Sequence, residues 1–272
     1  MGILNVTPDS FSDGGKHLEP QTAIDAGLHM VDQGADILDI GGESTRPDSE
    51  PVSTSEELRR VLPVISALCE QVSVPVSIDT SKAAVAREAL AVGAQLINDV
   101  TALTGDPEMV PVAAESGCGV CAMHMQGTPQ TMQDNPTYDD VVEEVLSYLK
   151  DRRASLIAAG IQPERISLDP GIGFGKTFEH NLALLASCHR FHELGCPILV
   201  GHSRKGFIAK VLGDSKVDRT AGDIGVALSL ASQGVQILRV HQIEPVRHAL
   251  LLFEATGGAP TAGGSGQNDD RH

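Results

Sequence analysis

Short runs of β-branched and aliphatic residues alternate with amphipathic stretches over almost the whole chain, and this alternation limits the fold more than any other feature. Such runs predict strands. Strands that are joined by stretches with apolar residues at helical spacing are typical of a parallel sheet covered by helices. Eight runs have the strand pattern, at residues 3–6, 37–41, 76–80, 96–100, 120–125, 166–170, 198–202 and 237–241.

Helical patterns occupy the stretches between these runs, at roughly 21–33, 54–72, 82–92, 107–116, 138–159, 179–193, 205–212 with 221–233, and 244–255. Eight β/α units favour a single closed (β/α)8 TIM barrel of the α/β class over an open doubly wound sheet. The length of 272 residues suits one such domain. We expect the barrel over 1–256 and a disordered tail over 257–272, which is rich in Gly, Ser, Thr and Asp.

Composition excludes several classes of partner. A hydrophobic content of 41% with 21% charged residues is typical of a soluble globular protein. No apolar run approaches the ~20 residues that a membrane helix needs. The net charge of -16 repels nucleic acid and anionic lipid surfaces, whereas a few cations focused in one cleft can still attract a small anion.

The chain has five cysteines, an odd number, and no signal-peptide pattern is recognisable in the sequence. Both observations favour reduced thiols and a cytoplasmic protein. Cys118 and Cys121 form a C-x-x-C that could be redox-active or half of a zinc site. A second ligand pair is missing, and residues three apart in a strand face opposite sides. We therefore interpret both as small core residues.

Polar residues end most of the predicted strands. In a barrel of this kind these ends form the active-site face, and unpaired polar groups buried there would cost free energy unless a ligand met them. The polar residues at or just beyond strand ends are Asn5, Asp39, Asp79, Asn98, Asp99, Asp169, His202, Ser203, Arg204, Lys205, Arg239 and His241. A polar ligand is expected at this face.

The chemistry of these residues limits the class of ligand that they can bind. Asp79, Asn98 and Asp169 offer acceptors and one amide, which suit the amino-pyrimidinone edge of a flat heterocycle; pterin and guanine both fit. Positive charge comes from Arg46, Lys205, Arg239 and His241, as a diphosphate would require. A pterin diphosphate satisfies both requirements.

Some of the same positions also have structural explanations. Asp39 and Asp99 fit the role of a helix cap or loop-stabilising residue. His124, in an apolar run, fits a hydrogen-bonded wall residue better than a metal ligand. The glycine-rich stretch 171–175 before Lys176 lacks the spacing of a phosphate loop, so we interpret it as a flexible turn.

Eight motifs in order resemble the dihydropteroate synthase family. They are GILNVTPDSFSDGG at 2–15, DIGGESTRP at 39–47, IDT at 78–80, IND at 97–99, MHMQG at 123–127, DPGIGFGK at 169–176, SRK at 203–205 and RVH at 239–241. The resemblance covers essentially residues 2 to 255. It implies a transferase that joins p-aminobenzoate to a pterin methyl diphosphate and releases pyrophosphate.

The resemblance also implies roles for individual residues. Asn5 would ligate Mg2+ at the diphosphate, and loops around 8–15 and 44–47 would close over the site. The pterin would be held by Asp79, Asn98, Asp169 and Lys205 with Arg239 stacked on it; the diphosphate would be contacted by Thr45, Arg239 and His241; p-aminobenzoate would be flanked by Phe11, Pro47 and Phe174. Arg46 and Ser203 are expected as further substrate-binding residues. Gly206 replaces a serine of some members, leaving its backbone N–H for the p-aminobenzoate carboxylate.

Within this family the expected path is dissociative: pyrophosphate leaves first and the aryl amine captures a pterin-methyl cation, with Asp79, Lys205, Arg239 and His241 as catalytic residues. The resemblance further implies a homodimer. Two other functions remain open at this point. A methyltetrahydrofolate:corrinoid methyltransferase would share the pterin-binding acids but would not use Asn5 or the diphosphate cations, and a non-catalytic paralogue would bind without turnover.

Overall fold

Eight short strands alternate with helices in the computed structural model, which describes residues 1–7, 20–45, 49–214 and 216–258. The strands are β1 Gly2–Asn5, β2 Leu38–Gly41, β3 Val76–Asp79, β4 Leu96–Asp99, β5 Gly119–Met123, β6 Ile166–Asp169, β7 Leu199–Gly201 and β8 Ile237–Arg239. The helices are α1 Pro20–Asp32, α2 Thr54–Gln71, α3 Ala83–Ala91, α4 Met109–Ser116, α5 Val141–Ala158, α6 Phe178–Ala186, α7 Gly206–Leu212, α8 Thr220–Ser232 and α9 Ile243–Ala255, with 3-10 turns at Pro163–Arg165 and Cys188–Leu194.

All strand pairs are parallel, and the strands follow one another around a ring. β1 to β6 form one sheet in chain order, and β7 pairs with β8. A bridge between Leu168 and Ile198 joins β6 to β7, and a bridge between Gly2 and Val240 joins the end of β8 to β1. The backbone N–H of Ile3 donates to Val240 at 3.0 Å across the second junction. The predicted (β/α)8 barrel is thereby confirmed.

The helix boundaries follow from local capping. α5 starts at Val141 rather than at the predicted residue 138, because the Asp140 carboxylate accepts hydrogen bonds from the N–H groups of Val142 and Glu143. The predicted helix over 179–193 divides into α6 and a 3-10 segment, with Ser187 donating to Leu184 at 3.0 Å between them.

The core lies inside the barrel and between the barrel and its helices. Leu4, Ile40, Ile78, Ile97 and Leu168, one from each of five strands, are 0–1% exposed. Cys118 and Cys121 are buried free thiols, as expected of small core residues. Among the described residues no helix is long and apolar enough to cross a membrane. Apart from Gly257 and Gly258, the predicted tail lies outside the described residues.

Candidate active site

A cavity of about 1420 Å³ opens at the carboxyl ends of the strands. Nine of the residues expected in the site line it: Asn5, Thr45, Asp79, Phe174, Ser203, Lys205, Gly206, Arg239 and His241. They come from β1, β3 and β8, from the loops after β2, β6, β7 and β8, and from the first residue of α7. The strand-end rule for barrels therefore places these chemically dissimilar residues together.

Arg239 is bound to two aspartates in the wall of this cavity. Its Nε donates to Asp39 Oδ2 at 2.6 Å, and its Nη2 donates to Asp79 Oδ2 at 2.7 Å. Asp39 Oδ2 also accepts from the Asn98 amide at 3.1 Å. Asp39 caps no helix: it connects Asn98 to Arg239, so the structural explanation that the sequence left open for this residue is wrong.

Burial is the largest single influence on the pKa values of Asp79 and Arg239. It raises the pKa of Asp79; the Asp39 carboxylate raises this pKa further, and the Arg239 cation lowers it. Burial lowers the pKa of Arg239, but Asp39 and Asp79 raise it and prevail, so the guanidinium stays charged. Two carboxylates this close are tolerated because one cation lies between them.

Asp169 and Lys205 form a second pair of charged residues at this face. Asp169 Oδ1 accepts from the N–H of Gly171 at 2.7 Å, and the side chain is 5% exposed. Lys205 Nζ donates to the carbonyl oxygen of Ile172 and lies 4.7 Å from the centre of the Phe174 ring. Burial lowers the pKa of Lys205 to about 8, against the raising effect of Asp169. Burial raises the pKa of Asp169, against the lowering effect of Lys205.

Asn98 and Asp169 are buried and are not among the residues that line the cavity. Asn98 is 6% exposed and reaches the cavity wall through Asp39, whereas Asp169 interacts electrostatically with Lys205, which lines the wall. Asp79, Lys205 and Arg239 line the cavity, whereas Asn98 and Asp169 lie behind its wall. All five lie at the carboxyl ends of the strands, and their convergence on one ligand stays a prediction.

Asp99 has a different function, although it is adjacent to Asn98. Its Oδ1 accepts from the N–H and hydroxyl of Thr101 at 2.8 Å each, and its Oδ2 accepts from the N–H of Leu103 at 3.0 Å. These bonds hold a turn in which Ala102 and Leu103 have positive φ values of 56° and 61°. Asp99 therefore stabilises the loop after β4, one of the two roles that the sequence allows for it.

The glycine-rich stretch after β6 is a turn, as predicted, but it is closely packed rather than flexible. A side chain at Gly171, where φ is 70°, would overlap the carbonyl oxygen of His124. Lys176, only 3% exposed, donates to the carbonyl oxygen of Phe174 and contacts His124 Nδ1, both at 2.9 Å. Burial and Lys176 lower the pKa of His124 to about 3, so the ring is neutral and accepts from the lysine. The glycines permit close approach of two backbones.

Gly171→Ala is expected to destabilise the fold by about 2 kcal/mol, because a left-handed conformation is unfavourable for alanine and its Cβ would meet a backbone oxygen. Urea denaturation measures the change in free energy of unfolding. Gly225→Ala on α8 is the matched control, since nothing lies within 4 Å of its Cβ position. It should be neutral or slightly stabilising. Equal behaviour of the two variants would contradict the packed loop.

A second polar cluster, absent from the predicted site residues, holds the loop after β2. Lys82 Nζ lies 2.7 Å from Glu43 Oε2 and 2.6 Å from Glu57 Oε2. Thr80 also donates to Glu57 at 2.6 Å, and Glu43 Oε1 accepts from the N–H of Val52 at 2.7 Å. Glu57 is fully buried on the stripe of α2 that otherwise carries valine, isoleucine and leucine. A glutamate among the apolar positions of an amphipathic helix is the sequence signal from which this cluster could have been predicted.

Three of the expected site residues lie outside the described residues: Phe11, Arg46 and Pro47. Among the residues that the structure describes, no group of three or more His, Cys, Asp or Glu side chains could hold a metal ion. A divalent cation here would therefore need oxygen ligands from an amide and from a bound substrate.

Comparisons with known proteins agree on one family. The pterin binding enzyme family matches residues 1–241. The chain is 48% identical over 259 residues to the dihydropteroate synthase of Escherichia coli K12, covering 94% of this chain and 90% of that protein. A structure of Xanthomonas albilineans dihydropteroate synthase with 4-aminobenzoic acid has a TM-score of 0.88 at 45% identity, covering 95% of this chain and 93% of that one. The same enzyme in complex with 7,8-dihydropteroate has a TM-score of 0.85 at 43% identity and the same coverage. The chain therefore belongs to the pterin-binding enzymes, within the dihydropteroate synthase family.

Proposed function

We propose that this chain catalyses the condensation of (7,8-dihydropterin-6-yl)methyl diphosphate with p-aminobenzoate, giving 7,8-dihydropteroate and pyrophosphate. This is the transferase step of folate biosynthesis that the family performs. The observation that carries the proposal is the single cavity that combines the Asp39–Arg239–Asp79 group with Lys205 and His241. It provides hydrogen-bond acceptors for a pterin and cations for a diphosphate in one place.

The enclosed part of the site is assigned to the pterin. Asp169 and Asp79 supply acceptors for the N–H groups of the amino-pyrimidinone edge, and the Asn98 amide and Lys205 supply donors for its oxygen and nitrogen atoms. All four groups are buried or nearly so, which means that a ligand lacking matching polar atoms would leave them unsatisfied. Arg239 stacks on the ring in this assignment while Asp39 and Asp79 fix its guanidinium.

The diphosphate is assigned to the open side of the cavity, against Thr45, Ser203, Arg239 and His241. Asn5, at the end of β1, would hold Mg2+ through its amide oxygen. The fit is good, because Mg2+ commonly takes few protein oxygens and completes its shell with substrate phosphates and water. The nearby carboxylates of Asp39 and Asp79 already bind Arg239. When bound, Mg2+ supplies neutralising charge to the leaving group.

The residues of the chain support a dissociative path. Arg239 and His241 neutralise the departing pyrophosphate, and the acceptor-rich surroundings of Asp79 and Asp169 stabilise positive charge on the pterin. The aryl amine then forms the new C–N bond and loses a proton. The p-aminobenzoate ring is assigned to Phe174 and its carboxylate to the N–H of Gly206 at the start of α7, with Phe11, Arg46 and Pro47 as further proposed contacts.

We also propose a cytoplasmic homodimer. Exposed apolar side chains support an interface: Val211 and Leu212 at the end of α7 are 59% and 49% exposed, and Leu251 and Leu252 on α9 are 50% and 67% exposed. Scattered exposed apolar residues are common, but four large ones on two helices suit burial against a second copy.

Turnover with both substrates tests the proposed function. The purified chain, p-aminobenzoate, the pterin diphosphate and Mg2+ should give 7,8-dihydropteroate and pyrophosphate in equal amounts, measured by mass spectrometry and a coupled pyrophosphate assay. Omission of p-aminobenzoate should abolish formation of the product. Absence of dihydropteroate from a folded protein that binds the pterin would refute the enzymatic assignment.

The pH dependence of kcat/KM is expected to reflect the titration of Lys205. Since its pKa is lowered to about 8, the cation that is proposed to bind the pterin is lost as the pH rises through about 8, and kcat/KM for the pterin diphosphate should fall over that range. Lys205→Arg keeps its charge and should move this alkaline limb upward, even if the maximal rate is lower. A limb that stays near 8 in Lys205→Arg would assign the titration to another group.

A further inference from the structure

Asp223, in the first turn of α8, lies beside the loop after β7 and is only 2% exposed. It occupies the buried stripe of the helix together with Ala227, Leu230 and Ala231. A buried carboxylate is unfavourable unless hydrogen bonds or ions compensate it. The contacts that compensate Asp223 all come from the turn that carries Ser203 and Lys205.

Three successive residues of this turn bind Asp223. The Ser203 hydroxyl donates to Oδ2 at 2.9 Å, and the backbone N–H of Arg204 donates to Oδ1 at 2.9 Å and to Oδ2 at 3.2 Å. The backbone oxygen of Asp223 lies 3.1 Å from Nε2 of His202 and accepts from it. One acidic residue therefore holds the segment that leads into Lys205.

The turn needs this support because Arg204 has a φ of 58°, a left-handed conformation that is unfavourable for a side chain with a Cβ. Arg219, one residue before α8, donates to the carbonyl oxygen of Arg204 at 2.6 Å, so the peptides on both sides of Arg204 are held. After this turn Lys205 reaches Ile172 and α7 begins at Gly206. The conformation of the turn thus decides where the Lys205 side chain enters the cavity.

Asp223 also determines the direction of the hydrogen bonds that reach His241. An ionised carboxylate only accepts, so the Ser203 hydroxyl proton points to Asp223. The lone pairs of Ser203 Oγ then accept from His241, whose backbone N–H lies at 3.4 Å and whose Nδ1 lies at 3.1 Å. With Ser203 as the acceptor, Nδ1 of His241 carries a proton.

We propose that Asp223 is a positioning residue of the active site: it fixes the turn at 203–205 and, through Ser203, fixes the ring of His241 with its proton on Nδ1. It acts through residues assigned to the diphosphate and the pterin, so the kinetic part of the inference rests on the proposed function. The position of the ring proton does not.

The proton position is tested directly in the full-length protein with ¹⁵N-labelled histidine. The His241 resonances are assigned by their loss in His241→Gln, and spectra are recorded at a pH where the ring is neutral. The wild type should carry its proton on Nδ1. In Asp223→Asn the new amide donates to Ser203, so the hydroxyl donates to His241 and the ring proton should move to Nε2. An unchanged proton position in a folded Asp223→Asn would overturn the proposal.

Kinetics separate positioning from a general loss of structure. Asp223→Asn should raise KM for the pterin diphosphate about tenfold or more, because the misplaced groups bind that substrate. A purely structural residue would lower the active fraction and leave this KM unchanged, which would contradict the proposal. Asp218→Asn is the control: this exposed acid bonds to Thr220 at 3.0 and 2.7 Å, so its variant should match the wild type.

Ser203→Ala covers the case in which Asp223→Asn does not fold. It interrupts the path from Asp223 to His241 but leaves Asp223 free to bind the Arg204 N–H, so His241 should lose its fixed Nδ1 proton in a folded protein. Retention of that proton in Ser203→Ala would contradict the proposal. A wild-type chain without turnover would refute the proposed function, whereas the proton position would still decide the role of Asp223.

Discussion

Arg239→Ala is expected to lower kcat/KM for the pterin diphosphate by on the order of 100-fold or more, because it removes the cation assigned to stacking and to the leaving group. It should also lower the free energy of unfolding by about 3–5 kcal/mol, since Asp39 and Asp79 would remain buried without their partner. Steady-state kinetics and chemical denaturation measure the two effects.

A second substitution separates the two effects of Arg239. Adding Asp39→Asn to Arg239→Ala removes one uncompensated charge and should restore part of the stability without restoring activity. Recovery of activity in this double variant would mean that Arg239 only balances charge and binds no substrate. Arg59→Ala is a control for loss of an arginine, because Arg59 pairs with Glu56 on the exposed face of α2 and should affect neither measurement.

Asp169→Asn is expected to weaken binding of the pterin diphosphate by about 2–4 kcal/mol. The asparagine oxygen can still accept from the N–H of Gly171, and its NH2 then replaces the second acceptor that the pterin edge requires. Donor faces donor, and both remain unsatisfied. The melting temperature should stay near that of the wild type, because the Gly171 bond is kept and a buried charge is removed. Isothermal titration calorimetry and thermal denaturation test the two parts.

The barrel could be predicted because its strands and helices have clear periodicities. The carboxyl-end rule then placed residues as distant in sequence as Asn5 and Arg239 at one face. Most predicted strands extended one or two residues too far. Thr80 and His202 are examples, because their side chains bond outside the sheet, to Glu57 and to the backbone of Asp223. Strand identity follows from local pattern, but the last paired residue depends on tertiary contacts.

The partners of the site residues were less predictable. Asp39 has no local feature that distinguishes it from a helix cap, and its bonds to Asn98 and Arg239 span 59 and 200 residues of sequence. Glu57 and Asp223 do carry a signal, because each is an acid on the buried stripe of a helix. Such a residue predicts a buried partner, but the partner itself is fixed only when the barrel has brought distant loops together.

Asp169 and Asp99 provide the most direct test of the central claim, that Asp169 binds the pterin at this face. Both are buried aspartates that end strands, Asp169 in β6 and Asp99 in β4, but Asp99 bonds to its own loop. Calorimetry with the pterin diphosphate should show weakened binding for Asp169→Asn and near wild-type affinity for Asp99→Asn, which instead loses about 2 kcal/mol of stability. Normal pterin affinity in a folded Asp169→Asn, or equal loss in both variants, would contradict the account.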